Sequence, residues 1–307
     1  MFRKMIAMTL CLVLVLSLAP AALAIRGGAG GASGGMGGGS AGHYTEAVEL
    51  FEQYEYTDEA TGLTIPYNLY LPEGYADGEE TYPLVIFIAD SSVNSNDVTA
   101  PLNQDGAAVW ATAQEQAKHP CIVLVPQYTT DLVNEIGMMT TDDNVWTDGL
   151  TLAKSLMDYI ITEYRVDESR IYGTGQSQGG MAAIAISDRY PDFYTAQYLV
   201  ACQWDVEEMA AMVDDKLWIV VCEGDTKAYP GMNGATALWA DMGADVATDE
   251  LWDSTSDADA FAALVEGMRA QDCAINYNVF EGGNHMYTWT VAYTIEGIRD
   301  WLFEQVK

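Results

Sequence analysis

Basic side chains are scarce in this chain: 13 Lys and Arg stand against 45 Asp and Glu in 307 residues, a formal charge of −32. A field of that sign repels phosphate backbones and anionic lipid surfaces, so nucleic-acid binding and attachment to an anionic membrane are disfavoured. Histidine is scarcer still, with three in the whole sequence. Without a spaced cluster of ligands around them, no metal site is expected. No glycine-rich fingerprint stands between a strand and a helix, and so no nucleotide cofactor is expected either. After the first 24 residues no apolar run is long enough to span a bilayer. What remains is 50% hydrophobic and 11% aromatic residues, the mix of an ordinary globular core.

The opening residues read as a secretory signal. Arg3 and Lys4 precede an apolar run from Met5 to Leu18, and Ala22-Leu23-Ala24 offers small residues where a signal peptidase cuts. The expected location is therefore extracellular, without stable membrane insertion after cleavage. Residues 25–43 form a glycine-rich stretch that cannot bury enough apolar surface to offset its ordering entropy, and a flexible tether is expected there. One domain over residues 44–307 follows. Beyond the signal lie Cys121, Cys202, Cys222 and Cys273, an even number that in an exported chain allows disulfides. Against pairing, Cys121 and Cys222 fall in or beside apolar strand-like runs, where buried free thiols are common.

Strands and helices alternate along this domain. Ile65–Leu71 reads as a strand in a hairpin with the Tyr54–Tyr56 region. Leu84–Ala89, Cys121–Val125 and Leu217–Cys222 are continuous apolar runs, the pattern of strands buried on both faces. Shorter strands are expected at Arg170–Thr174, Tyr198–Ala201 and Ile275–Phe280. Helices are expected over Ala107–Lys118, from Asp148 onward, over Gln178–Arg189 and over Thr288–Val306. Buried strands separated by helices predict an α/β fold: a mostly parallel sheet covered on both faces, with functional loops at the carboxyl ends of its strands.

Three such loops carry chemistry. Gly175-Gln176-Ser177-Gln178-Gly179 is a G-x-S-x-G pentapeptide between a strand and a helix. A tight turn there projects the serine hydroxyl above the sheet, and the amides of the following helix point at the same place. His285 follows the last strand in Glu281-Gly282-Gly283-Asn284-His285. His43 lies in the tether and His119 at the start of a strand, which leaves His285 as the base. A carboxylate is expected after Leu217–Cys222, in the chain order Ser, acid, His. Asp225 is the choice and Glu223 the rival; Asp241, Asp245 and Asp249 lie in an acidic insertion further on. The region from Gly231 to Gly267 is expected to form helices capping one side of the site and shaping substrate choice.

At these residues the sequence resembles the α/β-hydrolase superfamily. It is similar in particular to secreted esterases of the polyhydroxybutyrate depolymerase-like and feruloyl-esterase-like groups, which share the catalytic domain of prolyl oligopeptidases. Tyr67-Asn68-Leu69-Tyr70-Leu71-Pro72, Tyr82-Pro83-Leu84-Val85, Arg170 to Met181 and Arg189-Tyr190-Pro191-Asp192 carry the resemblance. It implies hydrolysis of carboxylic esters without a cofactor, on small-molecule or polysaccharide-linked substrates. Ser177 would be the nucleophile, His285 the base, and the backbone N–H of Gln178 one oxyanion donor. The second donor would come from Ser91 or Ser92. Relatives usually carry a His-Gly pair in that loop, whereas this chain has Ala89-Asp90-Ser91-Ser92, with a negative charge near the oxyanion position. A second departure is Lys227, at the place where relatives carry the acid. These two departures motivate an alternative, a non-catalytic carbohydrate- or ligand-binding protein on a hydrolase scaffold. A serine peptidase of prolyl oligopeptidase type is a further alternative, although the chain leaves no room for the large gating domain of such enzymes.

Overall fold

A computed structural model of the chain describes residues 43–307; the expected signal segment and all of the tether except His43 lie outside the described residues. His43 is held at its backbone N–H and its ring Nδ1, both 2.6 Å from the carboxylate of Asp105.

The strands are β1 (Glu52–Thr57), β2 (Thr64–Tyr70), β3 (Tyr82–Ile88), β4 (Ile122–Pro126), β5 (Val166–Gln176), β6 (Ala196–Val200), β7 (Leu217–Cys222), β8 (Val246–Thr248) and β9 (Ile275–Phe280). They form one nine-stranded sheet in the order β1-β2-β4-β3-β5-β6-β7-β9-β8. The β1–β2 hairpin is antiparallel and so is the β2–β4 pair; every other pair is parallel.

The continuous apolar runs have a simple cause. Along β3, Leu84, Ile86 and Ile88 enter one core while Val85 and Phe87 enter the other. Along β7, Leu217, Ile219 and Val221 alternate in the same way with Trp218, Val220 and Cys222. Each strand must be apolar on both sides because helices cover both faces.

In chain order the helices are α1 (Thr45–Val48), α2 (Asp105–Ala108), α3 (Ala113–Lys118), α4 (Thr130–Ile136), α5 (Asp148–Glu163), α6 (Gln178–Arg189), α7 (Ala228–Asp241), α8 (Ala258–Arg269), α9 (His285–Ala292) and α10 (Glu296–Phe303). The first core takes the apolar stripes of α5, α6 and α7. The second takes those of α2, α8, α9 and α10. Among the described residues no helix is long and apolar enough to cross a membrane, and all four cysteines are free thiols.

Several expected elements differ from those observed. The helix expected over Ala107–Lys118 is α2, a short 3-10 turn and α3, broken at Thr112. Thr112 caps α3 by accepting from the N–H of Glu115, a Thr-x-x-Glu start signal inside what periodicity alone reads as one helix. The helix expected over Thr288–Val306 is two helices, α9 and α10, separated at Tyr293–Ile295. Neither proline nor glycine lies at this break. Tyr293 is fully buried against Phe87 and Tyr198, bonded to Thr174, and its carbonyl accepts from Arg299; tertiary packing outweighs local propensity. The region from Gly231 to Gly267 is not a cap. It supplies most of α7, which packs into the first core, the edge strand β8, and most of α8, which packs into the second.

Candidate active site

Strand β5 ends at Gln176 and α6 begins at Gln178, so Ser177 occupies the single residue between them. Its φ is +52° and its ψ −121°, a conformation that costs a non-glycine residue on the order of 1–3 kcal/mol. The surroundings enforce it. Gly179 lies so close to the end of β3 that a Cβ there would stand 1.8 Å from the carbonyl oxygen of Ile88. Any side chain at 179 would push α6 off the sheet and relax the turn. The backbone N–H of Ser177 donates to Val200 of β6 (3.1 Å), which ties the turn to the sheet on its other side.

The acid and histidine loops are joined in the same manner. A Cβ at Gly224 would meet the carbonyl oxygen of Gly283 at 2.0 Å. Glu223 N–H donates to Phe280 (2.9 Å), and Gly282 N–H donates to the Glu223 carboxylate (3.2 Å). Asn284 caps α9 by accepting from the N–H of Tyr287 and makes His285 the first residue of that helix. The expected helix begins three residues later; the Asn cap is the sequence signal that marks the earlier start.

These loops bring together three of the expected residues. His285 Nε2 lies 2.8 Å from Ser177 Oγ, and His285 Nδ1 lies 2.5 Å from Asp225 Oδ2. Asp225 is 2% exposed, and its Oδ1 accepts from the N–H groups of Lys227 and Ala228, both at 3.0 Å. Burial alone would raise its pKa. The bond to His285 and the two amides outweigh that effect and hold the carboxyl below the usual carboxylate value. Glu223, the rival acid, contacts Gly282 instead, and Lys227 pairs with Asp142 at 2.7 Å. Asp241 ends α7, Asp245 lies between α7 and β8, and Asp249 accepts from the Trp252 indole. Trp289, one turn beyond His285 on α9, sets its ring edge-on to the imidazole at 5.1 Å.

Of the expected oxyanion donors, Gln178 follows the serine directly and Ser91 follows β3. Gln178 opens α6, and among the described residues its backbone N–H has no acceptor; its side chain donates to the carbonyl of Thr140 at 2.8 Å. Ser91 opens a short 3-10 turn over Ser91–Val93, also with an N–H that lacks an acceptor among the described residues. The Ser92 N–H is already engaged, by the carboxylate of Asp90 at 2.7 Å.

A cavity of about 280 Å3 opens beside Ser177. Met181, Gln203, Thr226, Lys227 and Asp142 line it together with Ser177, Asp225 and His285, and no residue of 231–267 does. Sequence reasoning missed Asp142 and Gln203. Asp142 lies in the Gly137–Thr147 segment between α4 and α5, which carries no periodic pattern, and only the fold brings it over the site. The other two histidines are remote from this chemistry. His119 stacks on Phe303 at 4.5 Å and bonds Asp300 at 2.9 Å, and His43 bonds Asp105. His119, Glu115 and Asp300 lie near one another, but Glu115 already accepts from Arg299 and Asp300 from His119 and Lys118.

The mostly parallel sheet with its N-terminal antiparallel hairpin and the serine on a strand-to-helix turn define an α/β-hydrolase fold. The chain belongs to the esterase family described as "Putative esterase", which it matches over residues 59–301. Among solved structures it is similar to a thermostable esterase at 22% identity and a TM-score of 0.66, covering 85% of this chain and 64% of that one. The chain thus spans less than two thirds of that relative. A serine-to-alanine variant of the feruloyl esterase module from Clostridium thermocellum, complexed with sinapinate, is similar at 14% identity and a TM-score of 0.54 over 84% of this chain and 88% of that one. An S-formylglutathione hydrolase from Agrobacterium tumefaciens is similar at 12% identity and a TM-score of 0.51, with 84% and 96% covered. No curated protein matches the chain.

Proposed function

We propose that the protein is a serine esterase, exported as residues 1–24 suggest, that hydrolyses carboxylic esters through an acyl-enzyme. The observation that carries this reading is the continuous chain from Ser177 Oγ through His285 to the buried Asp225 carboxylate. Neutral His285 takes the Ser177 proton as Oγ attacks the ester carbonyl, then returns it to the leaving alcohol. Asp225 fixes the imidazole with Nδ1–H toward itself, so that Nε2 faces the serine as an acceptor, and stabilises the imidazolium as it forms. Charge developing on the carbonyl oxygen is met by the N–H groups of Gln178 and Ser91, aided by the positive end of α6. Water activated by His285 then releases the acid. No step calls for a cofactor.

The small cavity supports acyl groups of modest size, and its opening on the exposed Asp142–Lys227 pair leaves the alcohol side free for a large or polymeric partner. Hydrolysis of p-nitrophenyl acetate and butyrate by the purified protein tests the reading. Loss of that activity and of fluorophosphonate labelling in Ser177→Ala is the expected result; a variant that keeps full activity refutes the nucleophile. A panel of acyl and feruloylated sugar esters then orders substrates.

A further inference from the structure

The loop after β3 holds a buried carboxylate whose recorded partners are all uncharged. Asp90 is 5% exposed. Its Oδ1 accepts from the N–H of Ser92 at 2.7 Å, and its Oδ2 accepts from the side-chain amides of Gln104 at 2.6 Å and Gln176 at 2.7 Å. An ionised carboxylate in such a place is costly unless donors satisfy it, and here three do. The three donors come from three different segments. Gln176 is the residue before Ser177 and Gln104 the residue before α2, while Ser92 belongs to the same turn as Ser91. One carboxylate therefore stitches the loop after β3 to the nucleophile turn.

The amides of Ser91 and Ser92 differ. Asp90 takes the N–H of Ser92, while the N–H of Ser91, which opens the turn, has no acceptor among the described residues. We propose that Asp90 is a positioning residue for the oxyanion site, holding residues 90–93 against the nucleophile turn so that Ser91 N–H is preorganised beside Gln178 N–H. The inference rests on the serine-esterase reading for its catalytic consequence, though not for the tether itself. Preorganised donors act on the transition state more than on bound substrate. The loss should therefore fall on turnover.

Two variants and two measurements test it. Asp90→Ala removes all three bonds and should lower kcat for p-nitrophenyl acetate by about 10- to 100-fold, with KM within about twofold. Affinity for a boronic acid that mimics the tetrahedral intermediate should fall by a similar factor. Asp90→Asn keeps an oxygen for Ser92 but loses the acceptor for Gln176; turning over the Gln104 amide lets Gln104 Oε1, which is otherwise buried without a partner, accept from the new amide nitrogen. It should retain activity within about fivefold of wild type. Unchanged kcat in Asp90→Ala with only a lowered unfolding midpoint would make Asp90 merely structural and overturn the proposal. An Asp90→Asn enzyme faster than wild type would overturn it as well, by marking the charge as a liability at the oxyanion. Hydrogen exchange of the Ser92 amide, measured in a Ser177→Ala background, reads the tether without any turnover. Protection lost on adding Asp90→Ala supports it, and unchanged protection refutes it even if the esterase reading itself has failed.

Discussion

His285 Nδ1 lies 2.5 Å from Asp225 Oδ2, and the same imidazole reaches Ser177 Oγ at 2.8 Å, so one ring links residues 60 and 108 positions away in the chain. The bond to Asp225 decides which nitrogen faces the serine. In the opposite tautomer Nε2 would carry the proton and have nothing to accept with. Asp225 thus acts through the histidine.

Asp225→Asn is expected to lower kcat by roughly 10³- to 10⁴-fold with little change in KM, as loss of the orienting carboxylate does in a serine triad. Glu223→Gln, two residues away, should stay within about threefold of wild type, since its carboxylate meets only the Gly282 amide. Steady-state kinetics on one ester separates the two. Equal losses would return the acid assignment to an open choice.

Gly179→Ala is expected to destabilise the fold by roughly 2–4 kcal/mol, because its Cβ would overlap the carbonyl of Ile88 and neither backbone can yield freely. Gly267→Ala is the contrasting case. It lies exposed in α8 with nothing within 4 Å of the added carbon, and should stabilise by about 0.5–1 kcal/mol through reduced entropy of the unfolded chain. Urea unfolding midpoints of the two variants should move in opposite directions.

Arg299 and Glu115 form a buried ion pair at 2.8 Å between α10 and α3, with both side chains almost wholly covered. Removing one partner leaves the other charged and buried, and Arg299→Ala should cost about 3–5 kcal/mol. Lys118→Ala, which breaks exposed pairs with Glu296 and Asp300, should cost no more than about 1 kcal/mol. Similar losses for both would mean that the buried pair is better solvated than its surroundings indicate.

Asp215, at the opposite end of β7 from the site, has its pKa raised to about 6 by burial and then by Asp192 and Asp214. Its folded pKa exceeds the unfolded value, so the unfolded chain releases this proton first as pH rises. Folding is therefore weakened progressively from about pH 4 to pH 6 and stays weakened above. Asp215→Asn removes that penalty. Its unfolding free energy should exceed that of wild type at pH 7, by on the order of 1–2 kcal/mol after allowance for partial exposure, and the gap should close toward pH 4. A gap of constant size across that range would point to a packing effect.

Much of this protein is legible in its residues alone. Three strand bodies and the helix after Ser177 are set by local physics: continuous apolar runs demand burial on both faces, and a serine flanked by glycines at ±2 demands a tight turn. The observed ranges of α6, β7 and β9 are those expected. The expected positions of the serine, histidine and acid follow from a single rule about the carboxyl ends of parallel strands.

What the residues did not disclose depends on contacts between distant segments. The break between α9 and α10 follows from the burial of Tyr293 among rings from two other strands, which no local signal records. Asp225 is the choice over Glu223 on its place past β7, but only the fold shows what each carboxylate meets: His285 for Asp225 and the Gly282 amide for Glu223. Asp90 reads in the sequence as a charge misplaced beside an oxyanion; in the fold it is a satisfied acceptor. Composition and periodicity determined that a sheet forms and where its functional edge lies, because those depend on residues near in sequence. Tertiary structure alone decided which polar groups meet there, because hydrogen bonds act over a few ångströms of space and are indifferent to separation along the chain.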